Sequence, residues 1–338
     1  MFAYVVRRIL VGAIMLVVMS LVTYLLFFAA PSDPARFTCG KNCSPELIEQ
    51  NRKALGYDKP VLVQYGQFVK GVFVGREFPD DPELKKTAPQ TIADCPAPCL
   101  GYSPLQSATV SSLIAEAAPV SISLALAAFI MWMVLGISGG VIAALNKGRL
   151  VDRALVGSAL IVYSFPTFFI GLSLYIFVAI KWQLTPIPVY TPISEGGVGA
   201  WLYGLFLPSL TLALIYIAGY IRLTRAFVLE SMGEDYIRTA RAKGLSQRRI
   251  LGKHTMRAAL TPIATVAGLD LGGLLAGAII TETVFNYNGL GKLAVQAATT
   301  YDLPTTVGIV IVAASFIITA NIVVDVLYAV IDPRVKYS

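Results

Sequence analysis

Residues 305–331 read TTVGIVIVAASFIITANIVVDVLYAVI, an apolar run interrupted by one charge, Asp325. A run of this length, apolar on every face, is what a bilayer-spanning helix requires. Lipid offers no water to a free N–H or C=O, so the backbone must satisfy itself over ~20 residues. Five similar runs lie upstream, at about 9–30, 120–145, 154–180, 201–221 and 262–285. The chain therefore reads as an all-α membrane protein with six transmembrane helices. Composition agrees, because only 14% of the 338 residues are charged and the mean hydropathy is +0.69. Soluble domains carry ~25% charge. A cytosolic enzyme, a disordered chain and a small secreted scaffold are excluded. The first run follows Arg7 and Arg8 but is longer than the ~7–15 apolar residues of a signal peptide, and Phe28-Ala29-Ala30-Pro31 lacks the cleavage pattern. It reads as a retained signal anchor.

Orientation follows from Lys and Arg in the short connections. Lys147, Arg149 and Arg153 lie between spans two and three. Arg222, Arg225, Arg238, Arg241, Lys243, Arg248, Arg249, Lys253 and Arg257 lie between spans four and five. The connections after spans three and five offer Lys181 and Lys292. Both termini are expected in the cytoplasm. The net charge of +7 is then mainly a topology signal, and flanking spans argue against nucleic-acid binding.

The segment 31–115 is expected outside the membrane. It balances nine basic against nine acidic residues and holds Cys39, Cys43, Cys95 and Cys99 in two Cys-x3-Cys pairs. On an oxidising side these read as disulfides, with all three connectivities open, rather than as a zinc site of four thiolates. No metal site is expected. The remaining organisation is an anchor helix at 1–30, a membrane-spanning core at 116–331 and a tail at 332–338.

The cytoplasmic segment 222–261 is polar and far longer than a helical hairpin needs. Glu234 and Asp235 suit the positive end of a helix, Gly244 suits its stop, and Ser246 can cap a second helix through Arg249 and Ile250. A helix–turn–helix at the membrane face results. It could bind anionic lipid or dock a cytoplasmic partner.

The run Asp235-Tyr236-Ile237-Arg238-Thr239-Ala240-Arg241-Ala242-Lys243-Gly244-Leu245-Ser246, followed by His254 and Arg257-Ala258-Ala259-Leu260-Thr261-Pro262, resembles the cytoplasmic loop of ABC importer permeases, in particular the dipeptide/oligopeptide branch. The wider importer motif has Glu-Ala-Ala where this chain has Arg238, Thr239 and Ala240, so the likeness is to the peptide branch. Ser164-Phe165-Pro166-Thr167-Phe168-Phe169-Ile170-Gly171, Glu282-Thr283-Val284-Phe285, Gly289-Leu290-Gly291 and the terminal Leu327–Arg334 stretch are similar in the same order, as is Leu55-Gly56-Tyr57-Asp58 in the outer segment.

The resemblance implies an ABC importer type I permease fold and half of a translocation path. It implies a second permease (a heterodimer), two ATPase subunits, an extracytoplasmic peptide-binding protein and a bacterial plasma membrane. The ATPase-coupling helix would include Arg238, Thr239, Ala240, Arg241, Ala242, Lys243, Gly244, Leu245 and Ser246, centred on about 239–245. Ala240, Ala242 and Gly244 would allow close approach, with Arg241 and Lys243 at the rim.

No cofactor is expected in this chain, since ATP and Mg would be bound by the partners. No catalytic motif is found. Gly289-Leu290-Gly291-Lys292 lacks the first glycine of a phosphate-binding loop. Gly268, Gly272, Gly273 and Gly277 read first as close helix packing and second as a seam with another permease. Pro166 should kink span three. Asp270 and Glu282 are candidates for the translocation path or gate, as charges inside spans are costly. Asp270 could line the conduit or pair with a neighbouring helix, and Asp325 suits a structural contact. Two other classes compete: a proton-coupled secondary transporter using Asp270 and Glu282, and a non-transporting receptor or scaffold.

Overall fold

The computed structural model describes residues 2–29, 33–38, 44–80, 90 and 92–331. Cys39, Cys43 and the tail at 332–338 lie outside them. Helix α1 (Phe2–Phe28) leads into a small subdomain containing α2 (Pro45–Ala54), α3 (Val61–Val74) and two short antiparallel pairs. These pair β1 (Arg76–Phe78) with β2 (Ala93–Cys95), and β3 (Tyr102–Ser103) with β4 (Ala108–Thr109). The bundle follows: α4 (Val110–Leu145), α5 (Leu150–Tyr163), α6 (Thr167–Lys181), α7 (Ile193–Gly233), α8 (Asp235–Ala242), α9 (Gln247–Leu275), α10 (Ile279–Val284), α11 (Leu290–Thr300) and α12 (Leu303–Ile331).

Among the described residues, five helices are long and apolar enough to cross a membrane: α1, α4, α7, α9 and α12. The expected third span is not one rod. α5 and α6 meet at a bend of 100°, so a sixth crossing exists only if that bent pair is one span. Pro166 does more than kink: the helix ends at Tyr163 and restarts at Thr167, because proline lacks the N–H and pushes its predecessor away from helical angles. The expected fifth span also stops early, at Leu275. Gly277 takes φ +127° and the chain turns into the separate α10. Nor is 222–261 a loop. α7 breaks at Gly197 (φ +70°) and then runs to Gly233, about 54 Å at ~1.5 Å per residue, so Arg222 and Arg225 sit on its extension beyond a ~30 Å hydrocarbon core.

Bare backbone lets the long helices approach. A Cβ on Gly136 would lie 2.6 Å from Tyr220 Cβ, and one on Gly140 would lie 2.5 Å from Thr224 Cβ, so α4 presses directly on α7. Likewise Gly268 and Gly272 receive Val324 and Ala320 of α12, where a Cβ on either glycine would collide. Where interior and lipid are equally apolar, such contact supplies much of the attraction. Two of the span-five glycines are therefore committed to packing within the chain. Trp132 is fully buried between α4 and α7, stacked on Tyr216 with centroids 4.4 Å apart.

Cys95 and Cys99 form a disulfide, with both sulfurs buried beside Phe78 and Tyr102. Because these thiols are spent on each other, a four-thiolate zinc site is not available. At the opposite end, Arg8 of α1 pairs with Asp325 of α12 at 3.1 Å, which gives Asp325 its structural contact.

Candidate functional site

The charged end of the bundle carries α8. Its helix covers Asp235–Ala242, four residues earlier at its start than the stretch centred on 239–245, and it ends in a Schellman motif. Gly244 N–H bonds to Arg241 O (2.9 Å) and Leu245 N–H to Ala240 O (3.3 Å), with Gly244 at φ +77°. Leu245 then packs with Ile237, Ala240 and Ile250 in a small apolar cluster. That cluster settles which face is free. Ile237 and Ala240 point inward, while Arg238, Thr239, Arg241, Ala242, Lys243, Gly244 and Ser246 are exposed. Ala240 is thus a core residue of this chain.

The helix is tied at both ends to long elements. Tyr236 and Ser231 hydroxyls are 2.8 Å apart, and Ser231 Oγ donates to Thr255 O at 3.4 Å, linking α8 to the end of α7 and the start of α9. Ile250–Thr255 is π-helical, a form that concentrates at functional sites. Nearby, Arg225 of α7 grips Asp152 of α5 with two hydrogen bonds (2.6 and 2.8 Å), and Gly148 N–H donates to the same carboxylate. These contacts join α8 to α7, α7 to α9 and α7 to α5.

Asp270 and Glu282 are not brought together. Tyr220 of α7 donates to Asp270 Oδ2 at 2.7 Å, so the reading of a pair with a neighbouring helix has its partner. Glu282 is fully enclosed. Ser121 Oγ and Ala278 N–H donate to Oε1 (2.7 and 3.1 Å), and Lys292 N–H donates to Oε2 (2.9 Å). Leu290 N–H in turn donates to Ser121 Oγ at 2.8 Å. The carboxylate thus sits at the positive N-terminus of α11, satisfied by amides and one hydroxyl. Gly289 makes room, since a Cβ there would lie 2.5 Å from Glu282 Cδ. The Lys292 ammonium turns away to Asn286 and Asn288. Pro166 has no charged or polar role in this region; it opens α6.

Sequence reading missed Asp302. It is buried at the start of α12, accepting from Ser103 Oγ (2.6 Å) and Thr305 Oγ1 (2.7 Å), and it fastens the subdomain to the bundle. The Asp-x-x-Thr spacing before an apolar run was the available signal.

The family model described as the inner membrane component of binding-protein-dependent transport systems matches residues 136–337, and its N-terminal companion matches 1–125. The chain belongs to this permease family. The permease is 36% identical to a peptide transport system permease protein of Brucella abortus over the full length of both chains. It is 34% identical to the dipeptide transport system permease protein DppB of Escherichia coli K12, covering 94% of each. In fold it is similar to the inward-facing MetNI methionine ABC transporter, with a TM-score of 0.51, 18% identity, and coverage of 65% of the permease and 96% of that chain. The permease is a multi-pass protein of the bacterial inner membrane. The expected peptide-branch membership, which rested on motifs spread along nearly the whole chain, agrees with these relatives.

Proposed function

We propose that this permease forms half of the translocation path of an ATP-driven peptide importer and docks an ATPase subunit through α8. The observation that carries the reading is the free face of α8. A short helix stands at the charged end, fixed to α7 and α9, with Arg238, Arg241 and Lys243 outward, Ala242 small beside them and the Tyr236 ring exposed on its first turn. Such a face suits a shallow acidic groove, in which charge selects the partner and small side chains allow contact. The charged end and both termini would face the cytoplasm, and the subdomain of α2, α3 and the two strand pairs would face the binding protein. A second permease would complete the path. The names of the Brucella and Escherichia relatives support peptide as cargo. ATP chemistry would belong to the ATPases, since α8 offers position and no catalytic group.

Reversing Arg241 and Lys243 to Glu tests the docking. The variant should insert in the membrane as wild type does but lose ATPase subunits during purification near physiological salt, where exposed charges act over about 8 Å. Retention of the ATPases at wild-type stoichiometry would refute the assignment.

A further inference from the structure

At the outer end of α1, where it meets α3, β1 and the start of α12, lies a cavity of about 40 Å³. That is room for about three waters, or for one carboxylate with its carbon. Its wall carries polar atoms with nothing to bond. Tyr24 is 6% exposed, and neither its hydroxyl nor that of Tyr57 makes a hydrogen bond among the described residues. Burial, reinforced by Tyr24 and Asp302 and opposed by Arg76, pushes the Tyr57 phenol above its ordinary value, so it stays a donor. Arg76 is the one charged residue on the wall. Its guanidinium lies over the Phe78 ring, 4.8 Å from the centroid, and spends a single terminal nitrogen on both Gln67 (3.2 Å) and Asp80 (3.3 Å). Asp80 is shared with Lys59 at 2.8 Å, so this carboxylate stands between two cations.

Gln64 also contributes to the wall. Gln64 Nε2 donates to the carbonyls of Tyr57 (3.3 Å) and Lys59 (2.7 Å), which fixes the amide's orientation, because a flip would set oxygen against two oxygens. Gln64 Oε1 is left buried without a partner.

We infer that this cavity binds a carboxylate, and that the group carrying it is the C-terminus of a peptide. The guanidinium and two phenols donate to the carboxylate. The identification of the ligand as a peptide rests on the proposed function; the carboxylate site itself does not.

The test is equilibrium dialysis of the purified permease, in lipid nanodiscs without binding protein, against radiolabelled dialanine, its C-terminal amide, and acetate. Dialanine should bind at millimolar concentration, acetate should compete, and the amide should bind about ten-fold more weakly, the worth of one charge-assisted hydrogen bond. Arg76→Gln should cost a similar factor. Tyr24→Phe, which keeps the ring packing, should weaken dialanine binding several-fold and guards against a misfolded Arg76 variant. Equal binding of acid and amide, no binding of either, or indifference to both substitutions would overturn the site. Acetate binding without dialanine binding overturns the peptide assignment alone. Uptake of dialanine by the intact assembly is measured separately, so a failure of transport is not mistaken for a failure of this cavity.

Discussion

Gly244 separates the two things its position could mean. The residue sits at φ +77°, and a Cβ built there meets nothing within 4 Å. Within this chain, then, any L-residue costs only the left-handed backbone, about 1–2 kcal/mol, and bulk adds nothing. Asn tolerates that conformation better than Ala or Trp. Gly244→Asn, Gly244→Ala and Gly244→Trp should therefore differ little in the thermal stability of the isolated permease, with Ala and Trp alike and Asn nearest wild type. In the assembled transporter the order should change. If an ATPase surface lies against this turn, Trp alone meets it, so peptide-stimulated ATP hydrolysis should survive in Asn, fall modestly in Ala and be abolished in Trp. The Ala variant calibrates backbone strain, worth a factor of about 5–30 in the local opening equilibrium. Equal hydrolysis by Trp and Ala would show that no partner occupies the space beyond Gly244.

Other outcomes follow from the packing and charge. Gly140→Ala sets a methyl 2.5 Å from Thr224 Cβ and 2.8 Å from Ile221 O, so it should lower unfolding stability by about 1–3 kcal/mol in a denaturant titration, whereas Gly273→Ala, with open space around it, should not. Glu282→Gln retains an acceptor for Ser121 and Ala278 but turns an N–H toward the Lys292 amide; one unsatisfied donor should cost about 1–3 kcal/mol, and a stability equal to wild type would contradict the hydrogen-bond assignment. Burial alone would raise the Asp80 carboxyl, but the hydrogen bond from Lys59 and the charge of Arg76 outweigh it and hold it below the usual range. Because the folded value is depressed, this stabilisation is present above the unfolded value of about 4 and is lost as acid titrates through the folded one. Proteolysis of the subdomain should therefore accelerate at low pH, with Lys59→Gln showing a weaker pH dependence.

The spans were legible because apolar length alone is decisive in lipid, and the helix stop at Gly244 because glycine is the residue that takes the left-handed turn at least cost. The exact ends were not. Residues 275–279 read Leu-Ala-Gly-Ala-Ile, apolar throughout, so no composition signal marks the break before α10, which comes from the close passage of Gly277 against Gly291. α7 looked like a loop beyond Ile221 because its last turns are charged, although charge at a helix end is solvated and costs the helix nothing. Gly136 and Gly140 passed unnoticed for want of a partner, since their meaning lies in Tyr220 and Thr224, some eighty residues away. Glu282 stood out as a costly charge, but its three donors come from residues spread between 121 and 292, and two of them are backbone amides that no sequence pattern displays. The Asp302 cap and the cavity beside Tyr24 depend in the same way on the subdomain folding back onto the bundle.

The most direct test of the central claim is ATP hydrolysis by the purified assembly as proposed, this chain co-expressed with a second permease, ATPase subunits and a binding protein, in proteoliposomes loaded with labelled dipeptide on the binding-protein side. Hydrolysis should rise with peptide, accompany accumulation on the ATPase side, and persist with an uncoupler present. Accumulation that continues without ATP and collapses with the uncoupler, or hydrolysis indifferent to peptide, would contradict it.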